Sequence, residues 1–209
     1  MKKNGLFIVF EGPEGSGKST QAKLLCKYLK NKNYDVVLTR EPGGTKVAEM
    51  IREILLHKNI KISPLTELLL YESARAQHIQ EIIKPALLKG KIVISDRFSD
   101  ASLVYQGYAR GLGMKFVKKI NDIVVSDTYP DITFILDVNP DEGLVRIKNR
   151  TKKFDRLENE NIEFHKKIRQ GYLNLAKNKK KFYLISTQGK CPKEVHKEII
   201  KVLNKKFGL

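Results

Sequence analysis

Leu6-Phe7-Ile8-Val9-Phe10-Glu11-Gly12-Pro13-Glu14-Gly15-Ser16-Gly17-Lys18-Ser19 is the stretch on which the reading of this chain turns. Its first five residues are a continuous apolar run, which suits a strand covered on both faces. Its last eight match GxxxxGK[ST] in full, and a helix-like segment follows with Ala22, Leu25 and Leu29 on one stripe. Strand, glycine-rich loop and helix in that order form a cradle for phosphate. Glycines let successive N–H groups point inward, and the helix presents its positive end to the same oxygens. Gly12, Pro13, Glu14, Gly15, Ser16, Gly17, Lys18, Ser19 and Thr20 are therefore the candidates for binding a nucleoside triphosphate. Lys18 is placed for the β- and γ-phosphates and the Ser19 hydroxyl for Mg2+, an ion that prefers oxygen donors. A carboxylate at Glu14, inside an anion-binding loop, is unexpected. Either it is an exposed side chain without a role, or it bonds a hydroxyl of a second ligand.

Outward from this stretch the pattern repeats. Val36–Thr39, Ile92–Ser95, Ile132–Leu136 and Phe182–Ile185 are further short apolar runs rich in β-branched residues. Longer helix-like segments separate them. Ile51, Ile54 and Leu55 share a stripe in one, Leu65–Leu88 is long enough for two helices or one long one, and Val195, Ile199 and Val202 mark the last. This alternation predicts an α/β domain with a mainly parallel sheet. No repeat or low-complexity linker interrupts it, so residues 1–209 read as a single domain. A short basic stretch, Asn149–Asp155, is expected to be a mobile loop.

The composition narrows the function classes. The 209 residues hold 40 Lys+Arg against 23 Asp+Glu, a net charge of +17, with 41% hydrophobic residues. That apolar fraction is too high for a disordered chain. Two single cysteines, Cys26 and Cys191, give neither a disulfide framework nor a thiolate metal site. No apolar run approaches the roughly 20 residues of a membrane span, and the five-residue run at the start is too short for a signal peptide. The chain reads as cytoplasmic. From Asp141 onward there are 19 basic and 8 acidic residues. Such a surplus can serve nucleic acid, a polyanionic small molecule or plain solvation. The lysine clusters carry no interleaved aromatics, and no nucleic-acid module accompanies them, so no nucleic-acid partner is expected. His57, His78, His165 and His196 have no metal-ligand spacing and read as surface or capping residues.

Two strands end in aspartate, at Asp96 and Asp137, where an acidic residue can hold the water shell of the metal. Arg97 follows Asp96 at once and favours it, whereas Asp137 opens an Asp-Val-Asn-Pro turn. Arg40 stands at another strand end, and its fork suits a phosphate. Tyr71 and Arg75 are one helical turn apart and can stack a base and bond its edge. Ser102, Tyr105 and Gln106 offer polar groups for a base and a sugar.

Four motifs together resemble the thymidylate kinase family of nucleoside-monophosphate kinases. They are Phe10-Glu11-Gly12 before the loop, Thr39-Arg40-Glu41-Pro42-Gly43-Gly44-Thr45, Asp96-Arg97-Phe98 with Ser102 and Tyr105-Gln106-Gly107, and Phe154-Asp155-Arg156-Leu157-Glu158. The resemblance covers the chain from Leu6 to the last helix. It implies a five-stranded parallel sheet flanked by helices, with a short mobile lid at about 149–156, in a homodimer. The implied reaction is transfer of the γ-phosphoryl of ATP to dTMP with Mg2+. Residue by residue, it implies Arg40 and Arg97 on the dTMP phosphate, Tyr71 stacked on thymine and Arg75 on its O4. Ser102 and Gln106 would meet the ring edge, Tyr105 the deoxyribose C2′ and Glu14 the 3′-hydroxyl. Ser19 and Asp96 would serve the metal, and Arg146 would pack on adenine. No arginine follows Glu14, so the lid would supply the basic groups: Arg150, Lys152, Lys153 and Arg156. The family's cis bond is expected at Glu41–Pro42. The rival readings are a kinase of another nucleotide, such as dUMP, and a nucleic-acid-binding NTPase.

Overall fold

The computed structural model describes residues 5–150, the last of these by its backbone alone, and residues 154–209. Five strands form one sheet: β1 Leu6–Glu11, β2 Val36–Arg40, β3 Ile92–Asp96, β4 Ile132–Asp137 and β5 Phe182–Ser186. Their order is β2-β3-β1-β4-β5, and every pairing is parallel. Each expected strand is present and runs one residue further, onto a polar side chain. Glu11, Arg40, Asp96, Asp137 and Ser186 thus share the carboxyl edge, where open α/β sheets bind their ligands.

The helices are α1 Lys18–Asn31, α2 Lys46–Leu56, α3 Pro64–His78, α4 Lys84–Leu88, α5 Ser99–Ser102, α6 Met114–Val125, α7 Pro140–Arg150, α8 Ile162–Ala176 and α9 Pro192–Phe207. The Leu65–Leu88 segment is one helix: α3 continues into α4 through a wide π turn, Ile79–Ile83. The wide turn lies just before Pro85, whose ring and missing N–H a regular α-turn accommodates badly. A second π segment, Leu103–Ala109, continues α5.

The pleat sends alternate strand residues to opposite faces. Ile8 and Phe10 join Leu25, Leu29, Ile199 and Leu203 on the side of α1 and α9. Phe7 and Val9 join Ile79, Ile83, Leu87 and Phe98 on the other. A third cluster, with Val104, Tyr105, Phe164, Ile168 and Tyr172, fixes α8 against the second π segment. Each fully buried side chain of this size contributes roughly 1.5–3 kcal/mol. Two stripe assignments need correction. Leu55 is fully buried, but Ile54 is exposed and forms an outward apolar row with Val47 and Met50. Helix α2 is apolar on two sides, and periodicity alone does not say which one meets the core. In α9 the buried row is Val195, Ile199 and Leu203 rather than Val202.

Candidate active site

The loop between β1 and α1 folds as its glycines allow. Gly12 and Gly15 have φ of 140° and 70°, and a Cβ on either would stand 2.2 Å from Leu136 O or 2.1 Å from Gly143 O. Helix α1 has Gly17 at its N-cap and so no side-chain cap. Its first N–H groups are therefore available to an anion. The Lys18 ammonium lies across the loop and donates to Pro13 O at 2.7 Å. Burial, reinforced by Arg97, draws its pKa down to about 8 against the pull of Glu14 and Asp96.

Arg97 follows β3 in a left-handed conformation, φ 72°. Its guanidinium donates to Gly12 O at 3.1 Å, Tyr172 Oη at 3.0 Å, Tyr105 Oη at 2.9 Å and Glu14 Oε1 at 2.9 Å. The Tyr105 hydroxyl donates to both Glu14 oxygens, at 2.5 and 2.6 Å. Glu14 is thus turned into the site, onto Arg97 and Tyr105. Burial raises its pKa, but Arg97, Lys18 and the Tyr105 hydrogen bond outweigh that and hold it below the ordinary value. Burial also works against the charge on Arg97, yet Tyr105, Tyr172 and the two carboxylates keep its pKa well above normal.

Behind this layer lies Glu11, fully buried. It accepts from Phe98 N at 2.8 Å, Ala101 N at 3.2 Å and the Tyr172 hydroxyl at 2.7 Å. Burial raises its pKa to about 7, with Arg97 opposing. Glu11 and Tyr172 thereby hold the turn from which Arg97 projects. The sequence motif contains Glu11, but nothing in its spacing reveals this task. Tyr172 gives no signal at all, because it comes from α8, more than 70 residues further on than Arg97.

Ser19 Oγ donates to Asp96 Oδ2, across the mouth of the loop. The two supply oxygen donors only, which fits a hard divalent cation. Among the described residues no group of three or more His, Cys, Asp or Glu gathers to hold an ion alone. Phosphate oxygens and water would have to complete the shell. Asp137, the other strand-end carboxylate, is bound instead by Arg169 in a two-pronged pair at 2.8 and 2.9 Å.

A cavity of about 520 Å³ opens from the loop along the carboxyl edge. Glu14, Lys18, Ser19, Arg40, Tyr71, Asp96, Arg97, Ser102, Tyr105 and Gln106 all line it, so most of the expected acceptor residues converge. Arg40 is half exposed there and pairs with Glu49 at 2.9 Å. The Glu41–Pro42 peptide is cis. Arg75 is set apart from this group. It does not line the cavity and is only 1% exposed. It donates to Glu41 Oε2 at 2.8 Å, to Glu72, to Ser102 Oγ at 3.1 Å, to Asn121 Oδ1 at 3.3 Å and to Phe98 O at 3.2 Å. Spacing placed Arg75 on the Tyr71 face, but Glu41, distant in sequence, and Glu72, one turn back on the helix, draw it inward. His78 belongs to the same buried group, between Thr39 Oγ1 at 2.6 Å and Glu41 Oε1 at 3.0 Å. His165 is buried too, 4.0 Å from Glu14. Neither is the surface histidine its isolation in sequence suggested.

Arg52 is a lining residue that sequence reasoning missed. It donates to Pro42 O at 2.8 Å, and burial and Arg40 lower its pKa. Asp155, Leu157 and Glu158 also line the cavity. Arg156 is directed elsewhere. Its Nε donates to Leu55 O at 2.8 Å, and its Nη2 lies 2.6 Å from Glu67 Oε2. That last contact is an ion pair whose angle is too poor for a hydrogen bond. The Arg150 side chain and Lys152 and Lys153 lie outside the described residues. On the far side of the loop, Gly15, Gly17, Thr20, Arg146 and Thr187 line a second cavity, of about 260 Å³. Arg146 donates to Gly15 O at 3.3 Å and to Thr187 O at 2.7 Å.

Two cavities meeting at one phosphate loop, on a parallel sheet of this order, are the geometry of a P-loop nucleotide-binding protein. Residues 10–199 match the family model described as Thymidylate kinase. A thymidylate kinase of Caldanaerobacter subterraneus subsp. tengcongensis is 50% identical over 199 residues, 95% of each chain. One of Thermoanaerobacter sp. strain X514 is 51% identical over 202 residues, 96% of this chain and 98% of the relative. The crystal structure of thymidylate kinase from Ehrlichia chaffeensis superposes with a TM-score of 0.79 at 39% identity, covering 95% of this chain and 98% of that one. The chain belongs to the thymidylate kinase family and is a kinase. Among the described residues no helix is long and apolar enough to cross a membrane.

Proposed function

We propose the following division of labour for the ATP-dependent phosphorylation of dTMP to dTDP. The observation that carries it is the convergence on one cavity of Lys18, Arg97, Glu14 and Tyr105 with Tyr71, Ser102 and Gln106. ATP binds with its phosphates in the loop from Gly12 to Thr20 and its adenine against Arg146. The dTMP phosphate lies between Arg97, Arg40 and Arg52. Thymine stacks on Tyr71, and Ser102 and Gln106 meet its edge. Tyr105 packs against C2′, and Glu14, held by Arg97, meets the 3′-hydroxyl.

Phosphoryl transfer needs alignment and charge stabilisation more than covalent help. A dTMP phosphate oxygen attacks the γ-phosphorus in line. That oxygen is already anionic, so no general base is required. Lys18 and Arg97 spread the charge that develops on the transferred group. Ser19 and Asp96 hold Mg2+, which neutralises phosphate charge when bound. Arg156 is tied to Glu67, so the lid's contact with the γ-phosphate falls to Arg150, Lys152 or Lys153. Lid closure over residues 149–156 excludes water and suppresses hydrolysis. The whole chain acts as one domain, in the cytoplasm. The exposed apolar residues Val47, Met50 and Ile54 on α2 and Leu65 and Leu69 on α3 support a homodimer.

Initial rates of ADP formation with MgATP and a panel of dTMP, dUMP, dCMP, UMP, AMP, GMP and thymidine test this reading. Fast turnover with dTMP, slower with dUMP and negligible with the others is expected. Arg97→Ala should lower kcat by at least about 100-fold. Wild-type turnover in that variant, or hydrolysis that only DNA stimulates, would overturn the assignment.

A further inference from the structure

Helix α3 carries a buried carboxylate that neither the phosphate chemistry nor the fold explains. Glu67 is 1% exposed and lies behind the base end of the acceptor cavity without lining it. Three side chains meet on it. Gln106 Nε2, from the second π segment, donates to its Oε1 at 2.7 Å. Arg110, past the end of that segment, reaches both its oxygens at 3.3 and 3.4 Å. Arg156, at the lid root, lies 2.6 Å from Oε2. Guanidinium groups only donate, so a carboxylate flanked by two of them serves as an acceptor at both oxygens.

That fixes the polarity of the cavity wall. Gln106 can offer Glu67 only its NH2, so its carbonyl is the end left for a ligand. Ser102, one turn earlier on the same wall, already accepts from Arg75 at 3.1 Å. Its own proton remains to be given. The wall thus presents a donor at Ser102 beside an acceptor at Gln106. A pyrimidine with C4=O next to N3–H complements that order. Cytosine, with an amino group next to an unprotonated N3, presents the opposite order: the Ser102 hydroxyl can turn its second lone pair to the amino group, but the fixed Gln106 carbonyl then faces the N3 lone pair and is left unpaired.

We infer that Glu67 is a specificity-determining positioning residue: by fixing the Gln106 amide, it makes the base end select an imide edge (thymine or uracil) over cytosine. The inference rests on the dTMP-kinase reading above, whose acceptor it explains. Removing the Glu67 charge frees the Gln106 amide to turn over, because the neutral amide introduced by Glu67→Gln can accept or donate.

The test is the ratio of kcat/KM for dTMP to that for dCMP in wild type, Glu67→Gln, Gln106→Met and the double variant. Thermal unfolding of each is followed in parallel. In Glu67→Gln the ratio should fall at least about tenfold, mainly through a higher KM for dTMP and a lower one for dCMP. Gln106→Met should lower it as much, and the double variant no further, because both act through one amide. A merely structural Glu67 would lower the melting temperature and both rates together, leaving the ratio intact. That result, or additive losses in the double variant, overturns the inference. If Glu67→Gln does not fold, an unchanged ratio in Gln106→Met overturns it as well. A wild-type enzyme without preference for dTMP would instead sink the functional reading itself.

Discussion

The two ends of the acceptor cavity are built on opposite plans. At the phosphate end the charged groups face the cavity: Lys18, Arg97 and Glu14 line it, and Arg97 is gripped by two tyrosines and two carboxylates. At the base end Tyr71, Ser102 and Gln106 are neutral, Arg52 and Asp155 act on Tyr71 from the same lining, and the charges of Glu67 and Arg75 stand one layer back. Charge inside a cavity acts on a ligand's own charge. Charge behind a wall orients the neutral dipoles in front of it. A phosphate calls for the first arrangement and a nucleobase for the second.

Lys18→Met should break the comparison at its strongest point. Turnover is expected to fall at least about 1000-fold, because the variant loses a charge aimed at the transferred group. The ligand-free variant should also melt higher than wild type at pH 7. Burial holds the Lys18 pKa down at about 8, so the folded chain bears a desolvated ammonium that methionine does not impose. A variant that turns over normally, or that melts lower, contradicts this account.

The next effect concerns Glu11. In the folded chain it keeps its proton up to about pH 7, against 4.5 for the free group. Between those values the folded state binds more protons than the unfolded one, so this group's contribution to stability falls as pH rises. Glu11→Gln mimics the protonated form and removes the slope. Across pH 4.5 to 7.5 the variant should gain on wild type by roughly 2–3 kcal/mol in denaturant unfolding. A difference that does not change with pH would disprove it.

At the base end the effects should be smaller. Tyr71→Ala removes a stacking ring and should raise the KM for dTMP by about 10-fold. Tyr71→Phe keeps the ring and should stay within about threefold. If the two variants behave alike, the hydroxyl rather than the ring is what the ligand uses.

The sheet was almost wholly legible, because runs such as Leu6–Phe10 and Ile132–Leu136 are apolar without a break, short and rich in β-branched or aromatic residues, as strands buried on both faces require. The phosphate end was legible for a similar reason: Gly12 to Ser19 and Asp96-Arg97 are local strings whose geometry is made by neighbours in sequence. The base end was not. Arg75 and Tyr71 share a helical face in projection, yet Glu41 and Asn121, distant along the chain, draw Arg75 away from the cavity. Arg156 is likewise claimed by Glu67. Tertiary ion pairs leave no periodic trace, so Glu67, Arg52 and Tyr172 gave no sign of their positions. The two π turns were equally silent, apart from the proline that follows the first.

The large cavity has one more consequence. Among the described residues its lining carries four cations, Lys18, Arg40, Arg52 and Arg97, and five carboxylates, Glu14, Glu41, Asp96, Asp155 and Glu158. These described residues nearly balance, inside a chain of net charge +17. Attraction and admission are therefore separated. The lysine-rich exterior draws polyanions of every kind toward the molecule over the Debye length. Within the chamber, what stays is chosen by fit to the directed donors of the loop, Lys18 and Arg97.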